Sequence, residues 1–519
     1  MKLTLIFQIL AIVVSQMFSD NMVLQQGREV PVWGTAAASE TVSVTLTDEG
    51  GSVIAKAKTK ADKQGSWSVN LPAMKADGKS LTLEIKGKKE SLSFSNVAVG
   101  EVWLCSGQSN MAYEMLRSWQ AAPRRGEDQT AVELARPANN MIRVLTPTRG
   151  GGPRPQGAPQ GQQPGGQRPQ GGQPGGPMPQ GGGQPGQPGG PQGGPMPQGQ
   201  AGPRPQGGAP QGMPQMMTEQ GGWKVADGES LKKITAVGYF FAKNLSEKLG
   251  VPVGIISSSS GGSEIEQWIP GGNLYTSGIQ ALMPYAIGGF LWYQGESNLA
   301  HETTDYIEKF QTLTSDWRSG FNSPDAPFYC VLLAPHTYSD RLHRGHFVTS
   351  EALPLFWQTQ LKASEIVGNS ECICITDLID TPEDIHPSYK WIVGERLANL
   401  AIKEHFKIEG AAEWSGPKAS GLRIDGNKAI VTFDHVGEGL KGKSNSVEPN
   451  STPRLKWFEV AGEDGIWHQA FAEIVSPNEV AVTHPEVAKP AAVRFAWRET
   501  AQPNLYNSLM LPAYPFILK

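Results

Sequence analysis

The sequence predicts an α/β protein with a mostly parallel five-stranded sheet, flanked by β-rich regions. Apolar strand-like runs near residues 99–105, 253–257, 289–293, 328–334 and 371–377 alternate with helical patterns. Four such runs lead into small, polar turns. If the strands are parallel, these turns meet at one edge of the sheet, where open α/β sheets bind ligands. A chain of 519 residues is too long to fold around a single hydrophobic core, which indicates two or three domains.

The N-terminus has the pattern of a signal peptide. Lys2 precedes an apolar run over residues 3–14, which is too short to span a bilayer. We therefore predict a signal peptide over residues 1–15, a secreted or periplasmic protein, and no stable membrane insertion after its removal. The alternative is an ordinary first strand.

Residues 18–98 predict a β-sandwich-like domain. Residues 42–46 and 81–85 alternate between apolar and polar side chains, and Asp77-Gly78 marks a turn.

The first polar turn presents a candidate nucleophile, Ser109. An apolar run over residues 97–105 ends at Gly107, and Ser109 follows just before a predicted helix. A serine there can be exposed and lie close to helix N–H donors that favour a developing anion. It needs a histidine base to become a nucleophile.

A low-complexity insertion interrupts the predicted catalytic domain, which covers residues 99–148 and 222–408. Residues 149–215 are mostly Gly, Pro and Gln and contain no aromatic side chain, so we predict a disordered insertion over residues 149–221. Glycine does not recur at every third position, which excludes a collagen helix. An inert spacer and a tether to glycan or protein are the two interpretations.

The second half of the catalytic domain supplies further turns and a candidate base. Ser230 is a candidate cap for a helix that ends at Gly250, and glycine-rich turns follow the strands near residues 253 and 289. His386 lies between an apolar run and a predicted helix over residues 388–406, with acids two and three residues upstream. The alternative is a surface Asp-x-His sequence without a role.

The remaining features limit the functions. From about residue 409 the pattern returns to β and predicts a C-terminal β-rich domain to residue 519. The net charge of −4 and the lack of a basic run exclude the basic surface that nucleic-acid binding requires. The four cysteines lie in apolar runs and predict small buried thiols rather than a zinc site, so we expect no metal. They are Cys105, Cys330, Cys372 and Cys374.

Three motifs resemble the sialate O-acetylesterase family of SGNH hydrolases. They are residues 107–111 (Gly-Gln-Ser-Asn-Met), 292–298 (Trp-Tyr-Gln-Gly-Glu-Ser-Asn) and 384–387 (Asp-Ile-His-Pro). Residues 18–25 resemble the start of the family and residues 504–516 its end. The resemblance implies a flavodoxin-like catalytic domain, an acetylated carbohydrate substrate and no cofactor.

The resemblance also implies residue roles. Ser109 matches the nucleophile, His386 the base and Asp384 the acid, while other SGNH enzymes place the acid at the position of Glu383. The backbone of Ser109, together with Gly262 and Gln294, matches the expected oxyanion contacts. The chain departs from the family at Ser260, where a Trp is common, and at residues 357–360, where Arg-Glu-Ala-Gln is common. Both departures bear on substrate contacts more than on reaction type.

Three functions are compatible with these features. The first is an esterase that releases acetate from O-acetylated sialic acid or plant polysaccharide through an acetyl-enzyme. The second is a catalytically weak glycan-binding protein that stacks Trp268, Trp292 and Tyr293 on sugars. A peptidase with the same triad is a third, although no peptide-binding edge strand is evident.

Overall fold

The computed structural model describes residues 11–121, 129–148, 221–301, 304–340, 342, 347–443 and 454–519. The predicted insertion lies outside these residues up to position 220, and so do residues 1–10 of the predicted signal peptide.

The N-terminal region forms two sheets, one in the order β1-β3-β6 and one in the order β5-β4-β7-β8. Its strands are β1 (Val13–Val14), β2 (Val23–Gln25), β3 (Val30–Thr35), β4 (Thr41–Asp48), β5 (Val53–Lys60), β6 (Ser66–Leu71), β7 (Leu81–Lys86) and β8 (Ser91–Gly107). Val13 pairs with Thr35, as expected if the N-terminal apolar run is an ordinary first strand rather than a signal peptide. The signal peptide and the location of the protein stay predictions.

One long strand, β8, joins the N-terminal region to the central sheet. Its first part pairs with β7, and its second part, from Glu101 onward, lies between two strands of the central sheet. The boundary predicted between residues 98 and 99 therefore falls inside a continuous strand.

The central sheet has the order β10-β9-β11-β8-β12-β13-β14. The additional strands are β9 (Asn139–Leu145), β10 (Lys224–Ala226), β11 (Val253–Ser259), β12 (Gly289–Tyr293), β13 (Phe328–Val331) and β14 (Ser370–Ile373). Neighbours from β9 to β14 are parallel, and β10 is antiparallel to β9. The five predicted strands are all present, and their parallel arrangement is confirmed.

Strand β9 is a parallel strand that the sequence analysis missed. The charged Arg143 interrupts its apolar pattern, yet this side chain is buried and donates hydrogen bonds to the backbone carbonyls of Asn21 and Asn96. Buried charge is tolerated only where such partners exist, and single-sequence patterns do not reveal them.

Helices cover the central sheet. They are α1 (Ser109–Ala112), α2 (Met115–Ala121), α3 (Gln129–Leu134), α4 (Gly228–Lys232), α5 (Ala236–Leu249), α6 (Glu296–Ala300), α7 (Tyr306–Gly320), α8 (Ala352–Val367) and α9 (Lys390–Leu400). Short 3₁₀ or π turns occur at Ile265–Trp268, Tyr275–Ile279, Gln280–Leu282, Tyr338–Asp340 and Ala401–His405.

The helix predicted from Ser230 to Gly250 is two helices, which corrects the sequence interpretation. Ser230 lies inside α4, where its hydroxyl contacts Asp227, the residue that caps this helix. Thr235 then starts α5 by accepting a hydrogen bond from the N–H of Gly238. Because each of these two N-caps starts its own helix, the segment whose apolar pattern suggested one helix forms two. The predicted end is correct, because Gly250 closes α5 with a φ of 68°.

The C-terminal region is β-rich, as predicted. Its strands are β15 (Lys418–Asp425), β16 (Lys428–Asp434), β17 (Lys441–Gly442), β18 (Phe458–Ala461), β19 (Trp467–Gln469), β20 (Phe471–Ser476), β21 (Glu479–Thr483), β22 (Ala492–Phe495), β23 (Leu505–Tyr506) and β24 (Phe516–Leu518). The region contacts the central sheet through the buried hydroxyl of Tyr514, which donates to the carbonyl of Cys372 at 2.7 Å. All four cysteines are free and buried, which confirms the thiol prediction.

Within the described ranges, no helix is both long and apolar enough to cross a membrane.

Candidate active site

Ser109 opens helix α1 directly after the turn that ends β8. Gly107 has a φ of 132°, and a Cβ atom there would lie 2.2 Å from the carbonyl oxygen of Tyr293. Only glycine therefore lets the turn approach β12 this closely, and the N–H of Gln108 donates to the same carbonyl at 3.0 Å. The strand-turn-helix arrangement predicted for Ser109 is present, and its side chain is partly exposed.

His386 lies in the loop between β14 and α9, and its ring meets the serine. The distance between His386 Nε2 and Ser109 Oγ is 2.8 Å. This separation is the one that a general base needs to take a hydroxyl proton. Two residues far apart in sequence are thus brought into a nucleophile–base geometry.

The two upstream acids have different positions. Both are exposed, but Asp384 Oδ1 accepts a hydrogen bond from the backbone N–H of His386 at 2.8 Å. Within the described part of the chain, neither carboxylate is hydrogen-bonded to the imidazole ring of His386. The contact of Asp384 shapes the loop, and its negative charge favours the protonated imidazole.

The surroundings of His386 keep its ring neutral. Burial lowers its pKa to about 4, and the positive charges of Lys390 and Arg117 act in the same direction. Asp384 opposes them. The ring of Tyr113 packs on the imidazole with centroids 5.6 Å apart. A neutral imidazole can accept the proton of Ser109 across the physiological pH range.

Gly262 lies in the glycine-rich loop that flanks Ser109. The N–H of Ser260 donates to the carbonyl of Gly107 at 2.9 Å, which ties this loop to the Ser109 turn. A Cβ atom on the neighbouring Gly261 would lie 3.7 Å from Ser109 Cβ. Gly262 itself is exposed and has a φ of 68°, so its backbone faces open space beside the serine loop.

Gln294 follows β12, and its side chain is fully buried. Its Nε2 donates to Asn298 Oδ1 at 2.7 Å and to the carbonyl of Ser263 at 3.0 Å, and its Oε1 accepts from the hydroxyl of Tyr306. In this arrangement the amide connects the loops around the site and does not present a free donor toward Ser109.

A buried polar cluster next to the two loops was missed by the sequence analysis. It consists of Asn110, Glu296 and Lys390, all buried. Asn110 and Glu296 stand inside the quoted motifs, so their types could have been noticed. Lys390 carried no signal, because a lysine at the start of a helix ordinarily faces solvent.

A polar cavity of about 260 Å³ adjoins α1. Ala112 at the end of this helix lines it, and hydroxyl side chains form much of the remaining wall. The other lining residues are Glu114, Thr146, Pro147, Lys233, Thr235, Ser257, Ser258 and Ser259.

Comparisons with known proteins show similarity to carbohydrate esterases. A family model described as a carbohydrate esterase, sialic acid-specific acetylesterase, matches residues 217–403. The sialate O-acetylesterase of Homo sapiens is 25% identical over 560 residues, which cover 96% of this chain and 91% of the relative. The corresponding protein of Pongo abelii is 25% identical over 562 residues with the same coverage. A crystal structure of a carbohydrate acetylesterase from Xanthomonas citri has a TM-score of 0.73 and 28% identity, covering 98% of this chain and 100% of that chain.

Residues 217–403 therefore match a sialic acid-specific acetylesterase domain, and the similarity to sialate O-acetylesterases extends over most of this chain. The chain is a carboxylic ester hydrolase, as the sequence motifs predicted.

The aromatic residues that the glycan-binding alternative required are not available at the surface, which corrects that expectation. Trp268, Trp292 and Tyr293 are at most 1% exposed. Strand β12 is buried on both faces because helices cover a parallel sheet on both sides. Trp292 packs against Trp268 in the core, with ring centroids 6.1 Å apart.

A candidate metal-ligating group in the described chain is His468, His484 and Glu486. Its ligand atoms lie within 4.8 Å of one another, but His484 Nδ1 already accepts the backbone N–H of Glu486 at 3.2 Å. The group belongs to the C-terminal β region, on elements other than those that carry Ser109 and His386.

Proposed function

We propose that this esterase releases acetate from O-acetylated sugars, with Ser109 as nucleophile and His386 as base. The separation of 2.8 Å between His386 Nε2 and Ser109 Oγ carries the proposal. Similarity to carbohydrate acetylesterases supports the acetyl group and the sugar as the reacting partners.

The reaction proceeds in two halves. In the first, Ser109 Oγ bonds to the acetyl carbon while its proton moves to His386 Nε2, and the carbonyl electrons form an oxyanion. When the carbonyl re-forms, the bond to the sugar oxygen breaks and this oxygen takes the proton from His386. Acetyl-Ser109 and the free sugar hydroxyl result. In the second half, water gives a proton to His386 and attacks the acetyl carbon. The bond from this carbon to Ser109 Oγ then breaks, and Oγ takes the proton back from His386, which releases acetate and restores both residues.

The oxyanion needs hydrogen-bond donors placed before the charge develops. We assign this role to the backbone N–H groups of Ser109 and Gly262. The first N–H groups of a helix have no partner within the helix, and the Gly262 loop lies open beside the serine. Gln294 would join them only by releasing one of its present acceptors.

The strand order supports an SGNH-type, flavodoxin-like catalytic domain. Across the sheet, five of the parallel strands lie in the order β11-β8-β12-β13-β14. Numbered by their order in the chain, these strands read 2-1-3-4-5. Flavodoxin-like sheets have this order, and their ligands bind where it reverses, beside the first strand. Ser109 follows that strand. Strand β9, which lies between β8 and β11 in the chain, is an additional parallel strand outside β11 and is not counted in this order.

The polar cavity beside α1, whose lining includes neither Ser109 nor His386, is a candidate subsite for a sugar rather than for an acyl chain. Its wall combines hydroxyl groups with one acid and one base, Glu114 and Lys233. Such groups hydrogen-bond sugar hydroxyls and offer no apolar tunnel for a long acyl chain. The acetylated sugar is a sialic acid or a plant polysaccharide.

Steady-state kinetics of Ser109→Ala test the proposal. We expect kcat for p-nitrophenyl acetate to fall by on the order of 10⁴ or more, and His386→Ala to cost about as much, because the two residues act as one unit. Ser476→Ala, in the C-terminal region, serves as a matched serine control with wild-type turnover. A folded Ser109→Ala variant that keeps near-wild-type kcat would refute the nucleophile.

A further inference from the structure

A buried polar cluster connects the loop of the nucleophile with the loop of the base. Asn110 stands directly after Ser109, Glu296 opens α6 and Lys390 opens α9. Their exposed fractions are 1%, 4% and 0%. Three polar side chains at this depth destabilise a fold unless they satisfy one another.

One amide makes the connection. Asn110 Nδ2 donates to Glu296 Oε1 at 2.6 Å and to the carbonyl of Ile385 at 3.0 Å. Asn110 Oδ1 accepts from Lys390 Nζ at 2.5 Å. Because Ile385 precedes His386 and Asn110 follows Ser109, the same side chain holds the backbone beside both reacting groups.

We propose that Asn110, Glu296 and Lys390 are positioning residues that hold Ser109 Oγ and His386 Nε2 in their reactive geometry, and that the ammonium of Lys390 favours the neutral imidazole. This inference rests on the proposed roles of Ser109 and His386. Asparagine fits the central place because it offers two donor hydrogens and an acceptor in one plane. An alanine would remove all three contacts, and an aspartate would lose the two donors.

The charges of the cluster explain why it matters to the base. Burial lowers the pKa of Lys390 to about 7, and burial raises the pKa of Glu296. Near pH 4, where His386 titrates, Lys390 is therefore protonated and its positive charge disfavours a second cation on the imidazole. The other groups that face His386 are Arg117 and His336, which act in the same direction, Asp384, which opposes, and the ring of Tyr113.

The test is the pH dependence of kcat/KM for p-nitrophenyl acetate in four variants of the full chain. Asn110→Ala should lose roughly 10²-fold in kcat with little change in KM, since small misplacements of reacting groups cost about that much. Lys390→Met should move the acid limb up by roughly one pH unit, toward the usual histidine value, and Lys390→Arg should leave the limb in place. Arg494→Met removes a buried cation of the C-terminal region and serves as the control for general destabilisation.

The outcomes separate this inference from the proposed function. An Asn110→Ala variant with the kcat of Arg494→Met, or a Lys390→Met variant with the wild-type acid limb, would overturn the positioning role. If Lys390→Met does not fold, Lys390→Gln takes its place with the same expected shift of the acid limb, and Asn110→Ala tests the positioning role independently. An active Ser109→Ala variant would instead overturn the proposed function itself.

Discussion

At residue scale, Asp384 and His386 show what a linear motif can and cannot specify. The motif correctly paired a serine with a distant histidine, since their reactive atoms lie 2.8 Å apart. The motif also suggested an acid bonded to the ring, whereas Asp384 contacts the backbone N–H of His386. The spacing of an acid and a histidine in sequence does not determine side-chain torsions, so this detail could not be predicted.

The two acids can be ranked by replacing each with its amide. Asp384→Asn keeps an acceptor for the backbone N–H but removes the charge, so we expect kcat/KM to fall about tenfold or more. The acid limb should also move to lower pH, because Asp384 raises the pKa of His386. Glu383→Gln, the matched control, should change kcat/KM by less than about twofold, since it removes an exposed charge. The reverse ranking, measured over the same pH range, would assign the orienting role to Glu383.

At the scale of elements, the strand-turn units were more predictable than the helices. A fully buried strand such as β12 gives a continuous apolar run that ends visibly at Gly295, the residue before α6. The break between α4 and α5 depends on the caps Asp227 and Thr235. A pattern of apolar residues continues through such a break, so periodicity alone predicted one helix.

The turn before Ser109 can be tested through Gly107. An alanine there would place its Cβ 2.2 Å from the carbonyl oxygen of Tyr293 and strain a φ of 132°. We expect Gly107→Ala to lower the free energy of unfolding by about 3 kcal/mol or more and to remove esterase activity.

Gly78→Ala is the matched control for Gly107→Ala. Gly78 also has a positive φ, 73°, but a Cβ atom there meets nothing within 4 Å. The control should lose only about 1–2 kcal/mol and keep its activity. Equal losses of stability and activity in both variants, measured by denaturation and turnover, would contradict the close approach of β8 and β12.

At the scale of the whole molecule, the parallel sheet brings the distant motifs to one edge. Loops after β8, β11, β12 and β14 carry Ser109, Gly262, Gln294 and His386, as the predicted sheet required. The added strand β9 and the continuity of β8 across the N-terminal region could not be predicted. Strand β9 depends on the buried Arg143, whose partners are backbone carbonyls. Strand β8 crosses the predicted domain boundary without a turn that would mark it in the sequence.

The ends of the low-complexity insertion meet. A Cβ atom on Gly221 would lie 3.2 Å from Thr148 Cγ2, so a short bridge can replace the residues between them. Excising residues 150–215, with a Gly/Ser bridge between Arg149 and Met216, should leave turnover and Tm nearly unchanged, because loop-closure entropy varies slowly with length. Turnover on p-nitrophenyl acetate and thermal unfolding of the deletion check this. A collapse of either value relative to the full chain would mean that the segment contributes to the fold or the site.

The roles of Ser109 as nucleophile and His386 as base are tested most directly by peptide mapping of the covalent adduct after reaction with an organophosphate ester. We predict a single adduct on Ser109, loss of activity in proportion to labelling, and slower labelling in His386→Ala. The serines of the neighbouring loop, Ser257, Ser258, Ser259 and Ser260, should stay unmodified and serve as internal controls. An adduct on one of them, or full activity after complete labelling of Ser109, would contradict the nucleophile–base assignment.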